Sequence, residues 1–466
     1  MNSVSDQVAP WVASFERLEK QRQTERADDD WLAASRRSAL ERFTETGFPT
    51  TREEAWRFTN VAPIGRLRFS PAGAPARGAH DTWRRWLDEV LFGTLRADAA
   101  AGWIVFLDGH YDASLSRIAD GPARLSSLAR AIVEDRDGVA PYLQGAGTRG
   151  KGASAAGPFT NLNTAFLQDG VFLSIPRGKI CEQPIHIVYV ATGAADCVVS
   201  PRTLIRASEG SQAIIVESYI GRPARYFTNA VTQIDLEEGA VLEHCKLQRE
   251  ATEAFHVSAT EVVMKRSSAF TSHSIALGGG LTRNDVSVLL DGEGADCTLN
   301  GLYVVSGDQH VDHHTLVDHA RPHGTSRQLY KGVLDGRSRG VFDGLVVVRP
   351  GAQKTDSRQE NRNLILSESA LVDTKPTLRI NADDVKCSHA ATTGQLDEAS
   401  TFYLRSRAID PETARRIMIH AFVSDVLRRV RVGAIRDGLD ALLFGASAAE
   451  ETPVLAPSAP RPEARS

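Results

Sequence analysis

The chain is poor in cysteine: 466 residues carry five, Cys181, Cys197, Cys245, Cys297 and Cys387, and the nearest two are 16 residues apart. No CxxC pair exists, so neither a zinc site nor a self-contained four-cysteine cluster site follows from spacing. An odd, sparse set of thiols fits a reduced, cytoplasmic protein. Long hydrophobic runs are also lacking. None approaches the roughly 18 residues of a membrane span, so no membrane association is expected. The start, MNSVSDQVAP, has no charged segment leading into an apolar one, and no signal peptide is expected. Nor is there an excess of one charge. With 54 basic and 58 acidic side chains the formal charge is -4, which offers no basic face to a nucleic acid. The remaining composition, 42% hydrophobic and 24% charged, is that of an ordinary globular protein.

What is present divides the chain into parts. Residues 1–65 read as an N-terminal helical region. Trp11, Phe15 and Leu18 recur at helical spacing, as do Trp31, Ala34, Leu40 and Phe43, and Gly47 and Pro49 stop the second helix. Residues 66–158 are mixed; Trp103–Leu107 predicts a short strand ending at Asp108-Gly109, and 145–158 reads as a flexible loop. From 159 to 395 short β-rich runs alternate with turns and no long amphipathic helix intervenes. The turns centred on Gly210, Gly239, Ser267, Gly294 and Gly324 are spaced 29, 28, 27 and 30 residues apart. A near-constant period built from strands and turns predicts a solenoid whose coils stack over a continuous apolar interior. The predicted class is therefore mainly β: a right-handed parallel β-helix core with α-helical regions on both sides. A β-sandwich is the competitor, and the regular spacing favours the solenoid. At 396–445 a helical region returns. Asp410-Pro411-Glu412 is a strong helix start, followed by a stripe of Ile419, Val423, Val426 and Val430. The tail 446–466, rich in Ala, Pro and charge, reads as disordered.

Three motifs carry possible chemistry. Gly145, Gly150 and Lys151 imitate a phosphate-binding loop, but Gly152 stands where Ser or Thr must hold Mg²⁺, so no nucleotide site is expected. His310, His313, His314, His319 and His323 are the densest set of potential ligands. On a strand His310 and His314 share one face and His313 takes the other, which argues for buried, hydrogen-bonded histidines rather than one metal site. Cys387 and His389 point the same way along an extended chain, about 6.6 Å apart, and so can face a single metal or cluster. The plainer alternative is a buried cysteine beside a hydrogen-bonded histidine.

At this last stretch the sequence resembles a known family. Residues 353–407, with ADDVKCSHAAT at their centre, look like the C-terminal signature of the SufB/SufD family of iron–sulfur cluster assembly proteins. The likeness continues through 278–303, 330–348, 172–189 and 47–61. Within the family the match is to the SufD side. A SufB-type chain is expected to carry a cysteine in the segment matching RQENRNLIL and to read EHEATTSK where this chain reads CSHAATTG; here no cysteine lies between Cys297 and Cys387. The resemblance implies a non-catalytic scaffold subunit that pairs with SufB through the β-helices and docks the ATPase SufC through its C-terminal helices. It implies a transient iron–sulfur cluster shared with SufB, to which His389, beside Cys387, contributes. On this reading the stripe after Asp410 is the docking surface, and its removal leaves the β-helix folded. Two other classes stay open: a β-helix carbohydrate-active enzyme, and a structural adaptor with no role at the metal.

Overall fold

The recurring turns are the joints of a parallel β-solenoid. The structure, a computed structural model, describes residues 4–25, 30–74, 80–95, 100–118, 120–144 and 157–445. The phosphate-loop imitation at 145–151 and the tail 446–466 lie outside the described residues.

At the turns, Gly210, Gly239, Ser267, Gly294, His323 and Lys354 all have positive φ, between 53° and 68°. Each donates its backbone N–H to a carbonyl of the next coil, as in Gly239 to Arg266 at 2.9 Å and Lys354 to Asp384 at 2.7 Å. Glycine takes this left-handed bend without a Cβ penalty, which is why the early turns use it. The fifth turn bends at His323 (φ 61°), one residue before the glycine expected to bend it.

Between turns the chain makes eight coils, each giving one strand to each of two facing parallel sheets. The first sheet runs from Gly170–Ile175 through Arg202–Ala207, Tyr226–Leu236, Phe255–Met264, Leu281–Leu290, His310–His319 and Arg339–Val348 to Leu371–Ile380. The second runs from Ile185–Ala191 through Gln212–Gly221, Val241–Arg249, Ala269–Ala276, Asp296–Val305, Thr325–Leu334 and Asp356–Ile365 to Lys386–Gly394. Coils pair in register, so Val241 lies under Ala269, then Asp296, Thr325, Asp356 and Lys386. Residues alternate between the bore and the outer face. The bore is filled by Ile187, Ile205, Ile215, Ile234, Val288, Leu299, Phe342 and Val346 among others.

Helices cover the outer faces. Val4–Glu25 and Asp30–Thr46 place Trp11, Phe15 and Phe43 against Val198, Phe227 and Val257 of the first sheet. The buried face of the second helix runs through Leu32, Ala39, Leu40 and Phe43, while Ala34 points outward. That helix ends where Gly47 (φ 67°) returns its N–H to the Phe43 carbonyl. Gly157 and Pro158, read as the end of a loop, instead open the helix Gly157–Phe166, with proline in the first turn where no N–H is needed. On the second sheet lies the helix Pro411–Leu427, with Asp410 capping the Thr413 N–H at 2.9 Å. Its stripe of Ile419, Val423, Val426 and Val430 packs with Ile435, Leu439 and Leu443 of Gly433–Phe444 against Val216, Leu302, Val304 and Val333. This corrects the expected docking role: the stripe is spent on the molecule's own flank, and deleting it would bare that flank. The large apolar side chains left exposed on the C-terminal helices are Phe402 (73%) and Tyr403 (55%) on Glu398–Ser406 and Ile417 (43%) on Pro411–Leu427.

The two ends of the solenoid differ. At the N-terminal end Arg124–Ser127 and His110–Tyr111 add antiparallel strands, and Gly102–Leu107 extends the second sheet by one parallel strand. At the C-terminal end Leu371–Ile380 and Lys386–Gly394 have a strand neighbour on one side only among the described residues. Such an edge offers free N–H and C=O groups to another chain.

Candidate functional site

That bare end places the thiol and the imidazole together. Register sets Cys387 over Ser357 and His389 over Gln359. Ser357 and Gln359 are 2% and 0% exposed, so this column of the strand faces the bore. Cys387 and His389 therefore stand on one wall of the mouth. His389 is exposed and has no hydrogen-bond partner among the described residues, unlike a structural histidine. Cys387 is half-buried, with its thiol packed on the core; burial pushes that thiol up, opposed by a hydrogen bond from the Ser357 backbone. It is thus protonated at neutral pH, and a metal bound there must displace the proton. Among the described residues no three of His, Cys, Asp and Glu come together as a metal cage.

Below the rim, the strand Asp356–Ile365 is polar on both faces. Ser357, Gln359, Asn361 and Asn363 point inward; Arg358, Glu360 and Arg362 point outward and pair with each other. Ser326 donates to Ser357 at 2.8 Å, and Asn363 to Asn361 at 2.6 Å. Gln359 has no partner for either amide atom among the described residues, nor does Thr374 Oγ1 on the last strand of the first sheet.

Deeper in the bore lies a buried charged set. Thr203 and Tyr219 donate to Glu217 at 2.7 and 2.9 Å, and the His244 Nε2–H does so at 2.8 Å. Burial pushes Glu217 up, yet His244, Thr203 and the charge of Lys246 hold it at about 2. Burial lowers Lys246 to about 8 against the pull of Glu217, Glu250 and Asp285. Its ammonium donates to Asn284 at 2.7 Å and to Ser258, and stands 3.0 Å from His256 Nε2. His256 Nδ1 in turn meets Glu250 at 2.6 Å.

The clustered histidines do not converge. His310 meets Thr59 at 2.9 Å and His314 meets Asp312 at 3.2 Å on the outer face. His319 meets Ser326 at 2.9 Å, and His313 lies between the rings of Tyr303 and Tyr330, both inside. His323 sits exposed at its turn.

All five cysteines are free, and four are buried. The polar strand was legible in SRQENRN only in part: its alternation gives two faces but not which one closes onto the bore. The set around Glu217 gave no local signal, because its members come from separate coils.

A two-sheet parallel β-solenoid, extended at one end by antiparallel strands and carrying Cys387 and His389 on its last strand at the other, defines the class of the fold. The SufBD core domain of SUF-system iron–sulfur cluster assembly matches residues 189–422, and the SufBD N-terminal region matches 104–187. The chain belongs to the SufBD family of iron–sulfur cluster assembly proteins. It is 30% identical over 434 residues to a Synechocystis iron–sulfur cluster assembly SufBD family protein, covering 91% of this chain and 92% of that one. It is 31% identical over 397 residues to SufD of Escherichia coli, covering 84% and 88%. The chloroplastic protein ABCI7 of Arabidopsis thaliana is 29% identical over 419 residues, 87% and 84%. Among the described residues no helix is long and apolar enough to cross a membrane.

Proposed function

We propose that this chain is a non-catalytic, SufD-like scaffold whose open solenoid end pairs with SufB and contributes His389, beside Cys387, to the site where an iron–sulfur cluster is assembled as cargo. The observation that carries the reading is the exposed imidazole of His389, without a partner among the described residues, on the same strand face as a thiol at an edge that no described strand pairs. Two ligands do not complete a cluster, so the others come from the chain that covers the edge. The unpaired strands give that chain a hydrogen-bonding template. SufC, the ATPase, is placed on the C-terminal helices through Phe402, Tyr403 and Ile417 rather than through the buried stripe.

His389→Ala in the complex of this chain with its SufB and SufC neighbours tests the site. Iron and sulfide per complex, isolated anaerobically, should fall, while the thermal midpoint of the free chain stays within about 1 °C, since an exposed surface side chain contributes within about 0.5 kcal/mol. Unchanged iron and sulfide would remove His389 from the site and leave a structural adaptor.

A further inference from the structure

We propose that Gln359 is a positioning residue of this site: its amide floors the mouth of the bore beneath His389 and donates an N–H to the sulfide of the iron–sulfur cargo. The inference rests on the proposed cluster site and names a residue that site needs.

Three observations carry it. Gln359 lies one coil below His389 in strict parallel register, a rung away at about 4.8 Å. It is fully buried, yet neither its amide oxygen nor its nitrogen meets a partner among the described residues. Buried polar groups are almost always paired, so an amide left open at both ends points to a ligand or water supplied from the mouth. Its direction is fixed by the opposite wall. A Cβ on Gly344 would collide with the Gln359 Nε2, so the amide reaches across the bore into the space that the missing side chain leaves.

The position does not require a polar side chain for packing. The same inward column passes through His244, Ser272, Leu299 and Gln328 on its way to Gln359 and His389. Leu299 is fully buried two coils below Gln359, so the bore accepts leucine there. Gln328 Nε2, one coil deeper, and Thr374 Oγ1 are likewise without a partner among the described residues. Gln359 and Thr374 thus offer neutral donors at the mouth, which suit a sulfide-bearing cargo. An amide N–H stabilises anionic sulfide, whereas a carboxylate at this place would repel it.

The experiment compares wild type, His389→Ala, Gln359→Leu and Gln359→Asn in the assembled, anaerobically isolated complex, with iron, sulfide and the visible circular dichroism of the bound cluster as readouts. The thermal midpoint of each free chain is measured in parallel. Gln359→Leu should keep or raise that midpoint, yet lower cluster occupancy at limiting iron by roughly tenfold, the effect of one charge-assisted hydrogen bond. Gln359→Asn, which keeps the amide but withdraws it by one carbon, should alter the dichroism and lower occupancy in the same direction; it serves equally if the leucine variant does not fold. If His389→Ala loses cargo while both Gln359 variants retain it with an unchanged spectrum, the amide holds only water and this inference fails, leaving the site reading intact. If His389→Ala retains its cargo, both fail together.

Discussion

Glu217 shows what one residue costs in the bore. A lone carboxylate there would be strongly disfavoured. It is tolerated because His244, Thr203, Tyr219 and Thr232 all donate to it and Lys246 stands near. Removing one member leaves the others buried without compensation. Glu217→Leu should therefore lower the unfolding free energy by about 3–5 kcal/mol in urea titrations. Glu217→Leu combined with Lys246→Met should cost less than the sum of the two single variants. Strictly additive losses would show that the two charges do not support each other. A second residue-level expectation concerns Gly152. Without a hydroxyl next to Lys151 the free chain should neither bind nor hydrolyse ATP. Micromolar ATP binding seen by calorimetry would contradict this.

At the scale of elements, the helix Pro411–Leu427 divides its labour by face. Val423 is fully buried against the second sheet, so Val423→Asp places an unpaired charge in the interface and should cost more than about 3 kcal/mol. Ile417 on this helix, and Phe402 on the preceding helix Glu398–Ser406, lie outside that packing. Phe402→Asp with Ile417→Asp should leave the unfolding midpoint in place and abolish co-purification with SufC. Retained SufC in the double variant would move the docking surface elsewhere. Truncation from residue 400 is a poor test of docking, since it strips Leu302, Val304 and Val333 of their cover as well.

For the whole molecule, several histidines are buried in their neutral form. Burial lowers His186 and His319 to about 4 and His313 to about 3. In the unfolded chain each titrates near 6.5. Between these values the unfolded state binds more protons, so stability is full above about pH 6.5 and is lost as pH falls toward 4. Each histidine contributes at most about 1.4 kcal/mol per pH unit in that window. The urea midpoint should therefore drop between pH 7 and pH 5, before most carboxylates titrate. His313→Phe, which keeps a ring between Tyr303 and Tyr330, should shallow the drop. A midpoint flat from pH 7 to 5 would contradict the buried neutral state.

By itself the sequence determined whatever depends on neighbours along the chain. Alternation with period two makes strands, the turns at Gly210, Gly239 and Gly294 need a left-handed bend, and Asp410-Pro411 starts a helix; each is settled within a few residues. The same locality made Cys387 and His389 legible as a pair, since two residues on a strand point alike. What lies one coil away is another matter. That Gln359 sits beneath His389, that Leu299 shares its column, and that Glu217 meets His244 and Thr203 all depend on register across some 14 to 60 residues. Burial of the stripe at Val423 was legible, but an apolar stripe looks the same whether its partner is another protein or the molecule's own flank. Only the tertiary structure decided that, and only it showed which end of the solenoid is bare, because an unpaired edge is a property of the stack and not of any strand in it.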